Sequence, residues 1–363
     1  MSVRKYLQQN KNLWIIAFLL IILIKIFSWN KSRVEAIYSS HLYFYFSKIL
    51  RFLFGWIPFS FGDILYLLGG CWIIWKLIKN IRLLLKKQIS KKSAFKKCLK
   101  LFLIFAFIYI VFNIFWGINY DRKGIAYQLN LDHLQYDTSD LKMLQKILLE
   151  KVNASKAVVM KNQEAYPSKK DLITGAVNAY QKAEQEHPFL DYKIVSVKSS
   201  LYGIPGDYLG FTGYYNPFTG EAQINTTVPD FLQPYIATHE MAHQLGYAKE
   251  NEANFVGYLA AVSSSDTLFH YSAYFDLFLY ANREVYYFDS VASIEAVQQL
   301  SLPVKKDIIE LKKFDLAHRS FIEPAITWMY GNYLKLNNQP KGIRSYNAVV
   351  GMLIAYYKKY GKL

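Results

Sequence analysis

Three long apolar runs dominate the hydrophobic pattern before residue 119. They occupy residues 13–28, 57–78 and 101–118, and each is close to the roughly 20 residues that a helix needs to cross the hydrocarbon core of a membrane. Because Asp63 and two glycines interrupt the second run, a buried hairpin is the alternative interpretation there, although we favour a span. The pattern therefore predicts three transmembrane helices.

Beyond residue 118 the apolar positions change to the short periods of a folded domain. Strict alternation predicts a strand over 192–200, and two further short strands are predicted within 208–227, on either side of an Asn-Pro-Phe-Thr-Gly turn. Helical spacing is found over 138–155, 168–187, 233–246, about 250–263, 266–285, 303–318, 320–337 and 343–360. This order predicts an α+β fold with a small sheet and a mostly helical C-terminal half.

The division into two parts is also visible in the charge. The chain of 363 residues has a formal net charge of +16. Residues 1–118 contain 18 Lys and Arg against 2 Asp and Glu, whereas residues 119–363 contain 25 of each sign. Because the whole excess belongs to the apolar part, the charge gives no support to nucleic-acid binding. We predict a membrane domain over 1–118 and a separate domain over 119–363.

The positions of the lysines predict the topology. The segment 79–100 between the second and third runs is dense in lysine and should stay in the cytoplasm under the positive-inside rule. Arg4, Lys5 and Lys11 place the N-terminus on the same side. Four basic residues in the first loop, 29–56, oppose this assignment but are outnumbered. We therefore expect a multi-pass protein of the cell membrane, with its C-terminal domain outside the cytoplasm.

The candidate chemistry lies in one short motif. His239-Glu240-Met241-Ala242-His243 has the form HExxH, and the helix predicted over 233–246 contains it. Histidines four residues apart share one face of a helix, so both rings can reach a single Zn²⁺ ion, while Glu240 can act as general base toward water. The alternative is an exposed helical turn with two solvated histidines. We favour the zinc site.

A catalytic zinc needs a third protein ligand, and two carboxylates at the start of the next predicted helix compete for that role. Glu250 shares a helical face with Asn254, Gly257 and Ala261, which are small or polar and would let the two helices pack closely. Asn254 could then hydrogen-bond the far ring nitrogen of a liganding histidine. Glu252 lies on a more apolar stripe. We favour Glu250 as the ligand and keep Glu252 as the alternative.

An HExxH motif followed by a glutamate on a second helix resembles the gluzincin metallopeptidases. The pattern Glu250-x-x-x-Asn254-x-x-Gly257 is similar to the third-ligand helix of the thermolysin-type and CAAX-prenyl-protease-type members. Asparagine replaces their usual aspartate, and the gap from His243 to Glu250 is shorter than in thermolysin. The whole chain also resembles an uncharacterised bacterial family of three-pass membrane proteins, a resemblance that brings no established substrate.

The gluzincin resemblance implies a zincin-like domain in which an edge strand above the metal pairs with the substrate backbone. The segment Phe211-Thr212-Gly213-Tyr214-Tyr215 stands where that strand should be, shortly before the metal helix. Strand addition would bind a peptide through the main chain with little sequence specificity. A purely structural hairpin is the alternative.

Such an enzyme also needs a group that stabilises the oxyanion, usually a tyrosine or histidine on a later helix. Tyr346, His270 and Tyr271 are the candidates, although a tyrosine in these helices is more often a core residue.

Together these features predict a membrane-anchored zinc metallopeptidase that hydrolyses an envelope protein or peptide outside the cytoplasm. An intramembrane protease is set aside, because the segments around the motif helix are too polar for a span. The remaining alternative is a non-catalytic membrane receptor or envelope scaffold that binds zinc for stability. The presence of Glu240, which metal binding does not need, argues mildly against it.

Overall fold

The computed structural model describes residues 6, 8–88, 90–131, 135–162 and 165–363, without the side chains of residues 91, 343 and 346. This part of the chain is mostly helical and has one small sheet. Its helices are α1 Lys11–Ser28, α2 31–55, α3 Phe61–Leu85, α4 Lys91–Phe115, α5 Ile125–Gln128, α6 Thr138–Asn162, α7 Lys169–Glu186, α8 Gly203–Leu209, α9 Gln233–Gln244, α10 Glu250–Ser263, α11 Thr267–Phe288, α12 Ser290–Gln298, α13 Leu302–Ala317, α14 Glu323–Leu336 and α15 Val349–Tyr360. Its strands are β1 Val197–Ser199, β2 Gly213–Asn216 and β3 Glu221–Ile224.

Three helices are long and apolar enough to cross a membrane, as predicted. They are α1, α3 and residues Lys92–Phe115 of α4, with mean hydropathies of 2.0, 1.5 and 2.4. The second apolar run forms one continuous helix and no hairpin. The hydroxyl of Ser60 accepts a hydrogen bond from the backbone N–H of Asp63, and the Asp63 carboxylate suits the first turn of a helix. These features are consistent with a membrane protein.

The segment between the first two spans is a helix rather than a loop. In α2 a π-helical stretch, Val34–Leu42, lies between Lys31–Arg33 and Tyr43–Gly55. This helix packs on the C-terminal domain, where the Ser47 hydroxyl donates to the Gln244 carbonyl at 2.8 Å. Arg51 is only 1% exposed and donates to the Ile194 carbonyl at 3.0 Å. Arg51, one of the four basic residues that oppose the predicted topology, is therefore buried against the C-terminal domain. Helix α2 lies on the same side of the spans as residues 119–363.

The sheet has the order β1–β3–β2. Strand β1 is parallel to β3, and β2 is antiparallel to β3, with Tyr215 opposite Ala222. Gly220 closes the turn between β2 and β3 with a φ of +69°, which glycine adopts most readily. The two strands predicted within 208–227 are confirmed, whereas the strand predicted over 192–200 is only three residues long because β3 pairs with no more of it. Strand β2 is left at the edge.

The helical half follows the predicted order with shifted ends. Helix α9 begins with Pro234 in its first turn, and Gly246, with a φ of +88°, follows its end. Helix α10 has the predicted bounds, and the Ser168 hydroxyl caps α7 as expected. The last predicted helix begins late, because Gly342–Ala348 is a 3-10 helix. The short helices α8 and α12 were not predicted.

Candidate metal centre

The site is built where α10 crosses α9. Gly257 permits this close approach, because a Cβ there would lie 3.0 Å from both the backbone nitrogen and the Cα of His239. Helix α9 is buried along its whole length, so the motif lies inside the domain. The solvated helical turn, the alternative weighed from the sequence, does not occur in this structure.

Three buried side chains converge at this crossing. The carboxylate oxygen Oε2 of Glu250 lies 3.4 Å from Nε2 of His239 and 3.5 Å from Nε2 of His243. The three potential ligand atoms all lie within 4.8 Å of one another. Within the described part of the chain, no other three histidine, cysteine or acidic residues converge in this way.

Neighbouring groups orient two of the three side chains. Nδ1 of His243 lies 2.7 Å from the Tyr247 carbonyl, which fixes the ring with Nδ1–H as donor and directs Nε2 at the cluster. The Tyr330 hydroxyl donates to Oε1 of Glu250 at 2.6 Å. Neither partner was identified from the sequence. Every residue has a backbone carbonyl, so the sequence does not show which one contacts His243. Tyr330 belongs to α14, 80 positions from Glu250.

The hydrogen bond predicted from Asn254 to a histidine is not formed. Both the Asn254 amide nitrogen and Nδ1 of His239 are buried without a hydrogen-bond partner. The backbone carbonyl of Asn254 instead accepts from the Tyr235 hydroxyl at 2.8 Å. Asn254 therefore joins α10 to α9 through its main chain.

Burial and mutual contact determine the charge states. Burial raises the pKa of Glu240 to about 7, against a smaller lowering by the two histidines. Burial also opposes the charge on Glu250, but the close ring nitrogens of His239 and then His243 hold its pKa well below the usual range. For His243, burial lowers the pKa, but the contact with Glu250 dominates and raises it to about 9. The cluster thus holds an ionised Glu250 and a Glu240 that can exchange a proton near neutral pH.

Glu240 lies against β2. A Cβ at Gly213 would lie 2.5 Å from Oε1 of Glu240, so only glycine fits at this position of the strand. Oε2 of Glu240 is buried without a hydrogen-bond partner. The carboxylate is therefore directly beneath the edge strand and has an oxygen available to accept a proton.

Strand β2 and the cluster face a common cavity of about 650 Å³. All four residues predicted to bind substrate contribute to its wall, namely Phe211, Gly213, Tyr214 and Tyr215. The Tyr215 ring packs on Trp116 with centroids 4.5 Å apart, and the Tyr214 hydroxyl donates to Asp63 at the start of α3. The edge strand is thus fixed against the outer ends of two spans.

Other parts of the wall were missed by sequence reasoning. The spans contribute Tyr66 from α3 and Phe112 and Trp116 from α4. Helix α14 contributes Ile326, Thr327, Tyr330 and Tyr333. These residues lie more than 70 positions from the motif, and aromatic residues are common throughout this chain, so no local pattern distinguishes them.

Comparison with protein families identifies the chain at the level of a family. A family model described as a protein of unknown function, DUF3810, matches residues 38–354. The chain belongs to the DUF3810 family. The matched region includes most of α2, two of the three spans and every residue of the cluster. No curated protein and no solved structure matches the chain.

In this DUF3810 chain the alternative ligand Glu252 belongs to a different cluster. Oε1 of Glu252 pairs with Lys249 at 3.0 Å. Its carboxylate packs on the backbone of Gly124, where a Cβ would clash with it, and Gly124 in turn donates its N–H to Glu35 at 3.2 Å. The structure therefore brings Glu250, and not Glu252, to the two histidines.

Two of the three oxyanion candidates, His270 and Tyr271, are not brought to the cavity. His270 contacts the Ser264 carbonyl through Nε2 at 2.8 Å, and the Tyr271 hydroxyl donates to Asp307. Neither side chain lines the cavity. The side chain of Tyr346 lies outside the described part of the structure. Tyr330, which was not among the candidates, both lines the cavity and contacts Glu250.

Proposed function

We propose that this protein is a membrane-anchored zinc metallopeptidase of gluzincin type. The observation that carries the proposal is the convergence of His239, His243 and Glu250 in one buried cluster, with a fourth side chain, Glu240, directed to the adjacent edge strand. Two histidines and one carboxylate with a separate glutamate base form a recurrent ligand set of catalytic zinc.

The donor atoms fit the size of zinc. A tetrahedral ion with bonds of about 2.05 Å has its ligand atoms roughly 3.4 Å apart, and Oε2 of Glu250 lies 3.4 and 3.5 Å from Nε2 of His239 and of His243. Oε2 of Glu250 is buried and makes no hydrogen bond. Such an atom is costly to bury unless something else neutralises it, and a divalent cation between the three donors would do so.

The residues around the cluster support hydrolysis of an amide. When bound, zinc would polarise a water molecule and the scissile carbonyl. Glu240 accepts one proton from the attacking water and delivers it to the departing amine, so that the C–N bond breaks as the new C–O bond forms. Its raised pKa, about 7, suits a group that both takes up and releases a proton.

The edge strand supplies the means of binding a peptide. Strand β2 has β3 on one side only, and the absence of a side chain at Gly213 brings its backbone against Glu240. A peptide added antiparallel or parallel to β2 would place its own backbone over the cluster. We therefore propose an extended polypeptide as the substrate, held mainly through main-chain hydrogen bonds.

We further propose that the active site faces outside the cytoplasm. The lysines of segment 79–100 support this orientation under the positive-inside rule. The docking of α2 on the C-terminal domain supports it as well, because three spans put both on one side of the membrane.

The proposal is tested by digesting a random peptide library with the full-length protein in detergent, after loading with Zn²⁺. We expect cleavage that a chelator abolishes, that Zn²⁺ restores, and that is lost in Glu240→Gln. Full zinc occupancy without cleavage of any peptide would favour the non-catalytic receptor or scaffold instead.

A further inference from the structure

Helix α14 carries an apolar face that nothing in the described structure covers. Trp328, Met329 and Leu336 are 71%, 60% and 84% exposed, and their spacing places them on one side of the helix. No charged residue lies between Glu323 and Lys335. A largely apolar face of this kind, in which Asn332 lies between Trp328 and Leu336, would be an aggregation risk on a soluble surface and normally marks an interaction site.

The opposite side of α14 locates the helix beside the spans. The Tyr333 hydroxyl lies 3.0 Å from that of Tyr120, five residues after the end of α4. Tyr333 also packs on the cluster that Ile110 and Trp116 of α4 form with α1. The exposed face of α14 is therefore continuous with the surface that the spans present to lipid.

The lengths of the two spans place their residues of the cavity wall near the ends of the membrane-crossing segments. Lys100 is the last charged residue in α4, and the roughly 20 residues that cross the hydrocarbon core then extend to about residue 120. Phe112 and Trp116, which line the cavity, fall inside that interval. On α3, Tyr66, another wall residue, lies three positions after Asp63 toward the middle of the helix.

Large apolar side chains are also exposed around the start of α8, on the other side of the cavity. Leu201 and Ile204 are 56% and 65% exposed. They are held at the membrane boundary because Asp63, in the first turn of α3, accepts from the Leu201 N–H at 2.6 Å. Apolar side chains on both sides of the cavity thus lie level with the ends of the spans.

We propose that α14 lies in the lipid interface with its apolar face toward the acyl chains, and that the site takes its polypeptide from a protein anchored in the same membrane. The substrate half of this proposal rests on the proposed peptidase function. An amphipathic helix of low charge with Trp and Leu on one face is typical of interfacial binding. Because the walls of the cavity include two spans and the peptide-binding strand, a juxtamembrane segment can reach β2 without leaving the membrane surface.

The position of α14 is tested by spin labelling in proteoliposomes. Cysteines replace Trp328 and, separately, Leu336 in full-length protein carrying Cys71→Ser and Cys98→Ser. Ile294→Cys is the matched control, because Ile294 is 53% exposed on α12. We expect labels at the two α14 positions to collide with oxygen more than with a water-soluble nickel chelate, and the control to show the reverse. Labels on α14 as water-exposed as the control would overturn the interfacial position.

The substrate class is tested with one cleavable peptide in two forms. The peptide that the library digest shows to be cut fastest is presented either free or joined to a single transmembrane helix, in liposomes that contain the full-length protein. Confinement to the membrane should raise the cleavage rate of the tethered form by about tenfold or more at equal total concentration. Trp328→Glu should reduce this ratio, whereas Ile294→Glu should not.

Equal cleavage of both forms would refute the membrane-tethered substrate and leave the peptidase function intact. Cleavage of neither form would refute the substrate class together with the peptidase function, and the spin-label result would then decide the position of α14 alone.

Discussion

Two buried acidic clusters lie on either side of the start of α10, and they are neutralised in different ways. In the arginine cluster, Glu35 pairs with Arg122 at 2.6 Å and Glu252 pairs with Lys249 at 3.0 Å. In the histidine cluster, defined by His239, Glu240, His243 and Glu250, neither carboxylate has a lysine or arginine partner among the described residues.

This difference in charge compensation indicates different roles for the two clusters. A buried carboxylate is stable only when a cation or several hydrogen bonds compensate its lost hydration. The arginine cluster contains its own cations and ties α2 to the C-terminal domain. The histidine cluster has titratable rings and no lysine or arginine among the described residues, which suits a group that binds a cation from solution.

The same contrast appears in the pKa shifts. Burial acts to raise the pKa of Glu35, but the hydrogen bonds and charge of Arg122 hold it below its usual value. Glu240 has no such partner, and burial raises its pKa to about 7. One acid is fixed in its charged form, and the other can change its protonation state.

The largest effect is expected for Glu240→Gln. The amide keeps the volume of the side chain but cannot accept a proton, so peptide hydrolysis should fall by about 10²–10⁴-fold, the usual contribution of general-base catalysis. Zinc content, measured in the same samples, should be unchanged. Glu252→Gln is the control from the arginine cluster, and a comparable loss of activity there would contradict the separation of the two clusters.

Arg122→Ala should be the most destabilising change in the arginine cluster. It leaves Glu35 buried without its cation, which typically costs about 3–5 kcal/mol, and the thermal unfolding midpoint of the protein in detergent should fall accordingly. Lys142→Ala removes an exposed pair with Asp289 and should cost about 1 kcal/mol or less. Similar losses for the two variants would show that the buried pair contributes no more than a surface pair.

Tyr330→Phe tests a smaller contribution, within the histidine cluster. The change deletes the hydrogen bond to Oε1 of Glu250, and loss of such a supporting bond typically weakens metal binding about 10–100-fold. Competition with a zinc chelator measures the affinity. Tyr333→Phe is the matched control, because that hydroxyl bonds Tyr120 instead. Equal affinities for both variants would mean that Tyr330 does not orient the carboxylate.

The sequence predicted what depends on local spacing. A separation of four positions puts the rings of His239 and His243 on one face, and the small residue Gly257 predicted the close crossing of α9 and α10. The apolar runs predicted the spans because membrane crossing requires only length and composition. The choice between Glu250 and Glu252 followed from the helical face alone.

Contacts between distant segments could not be predicted in this way. The helical form of α2 and the burial of Arg51 depend on the surface of the C-terminal domain. The hydrogen bond expected from Asn254 is absent because the position of a side-chain amide depends on tertiary packing. Among 30 tyrosines, Tyr330 can be identified only once α14 is placed against the cavity.

The central claim is that the histidine cluster, and not the arginine cluster, binds zinc. It is tested most directly by the zinc content of purified full-length protein after reconstitution and dialysis. We expect about one zinc per chain in the wild type and in Glu252→Ala, and almost none in His239→Ala, His243→Ala or Glu250→Ala. A wild-type protein that retains no zinc, or a loss of zinc in Glu252→Ala with retention in Glu250→Ala, would contradict the account.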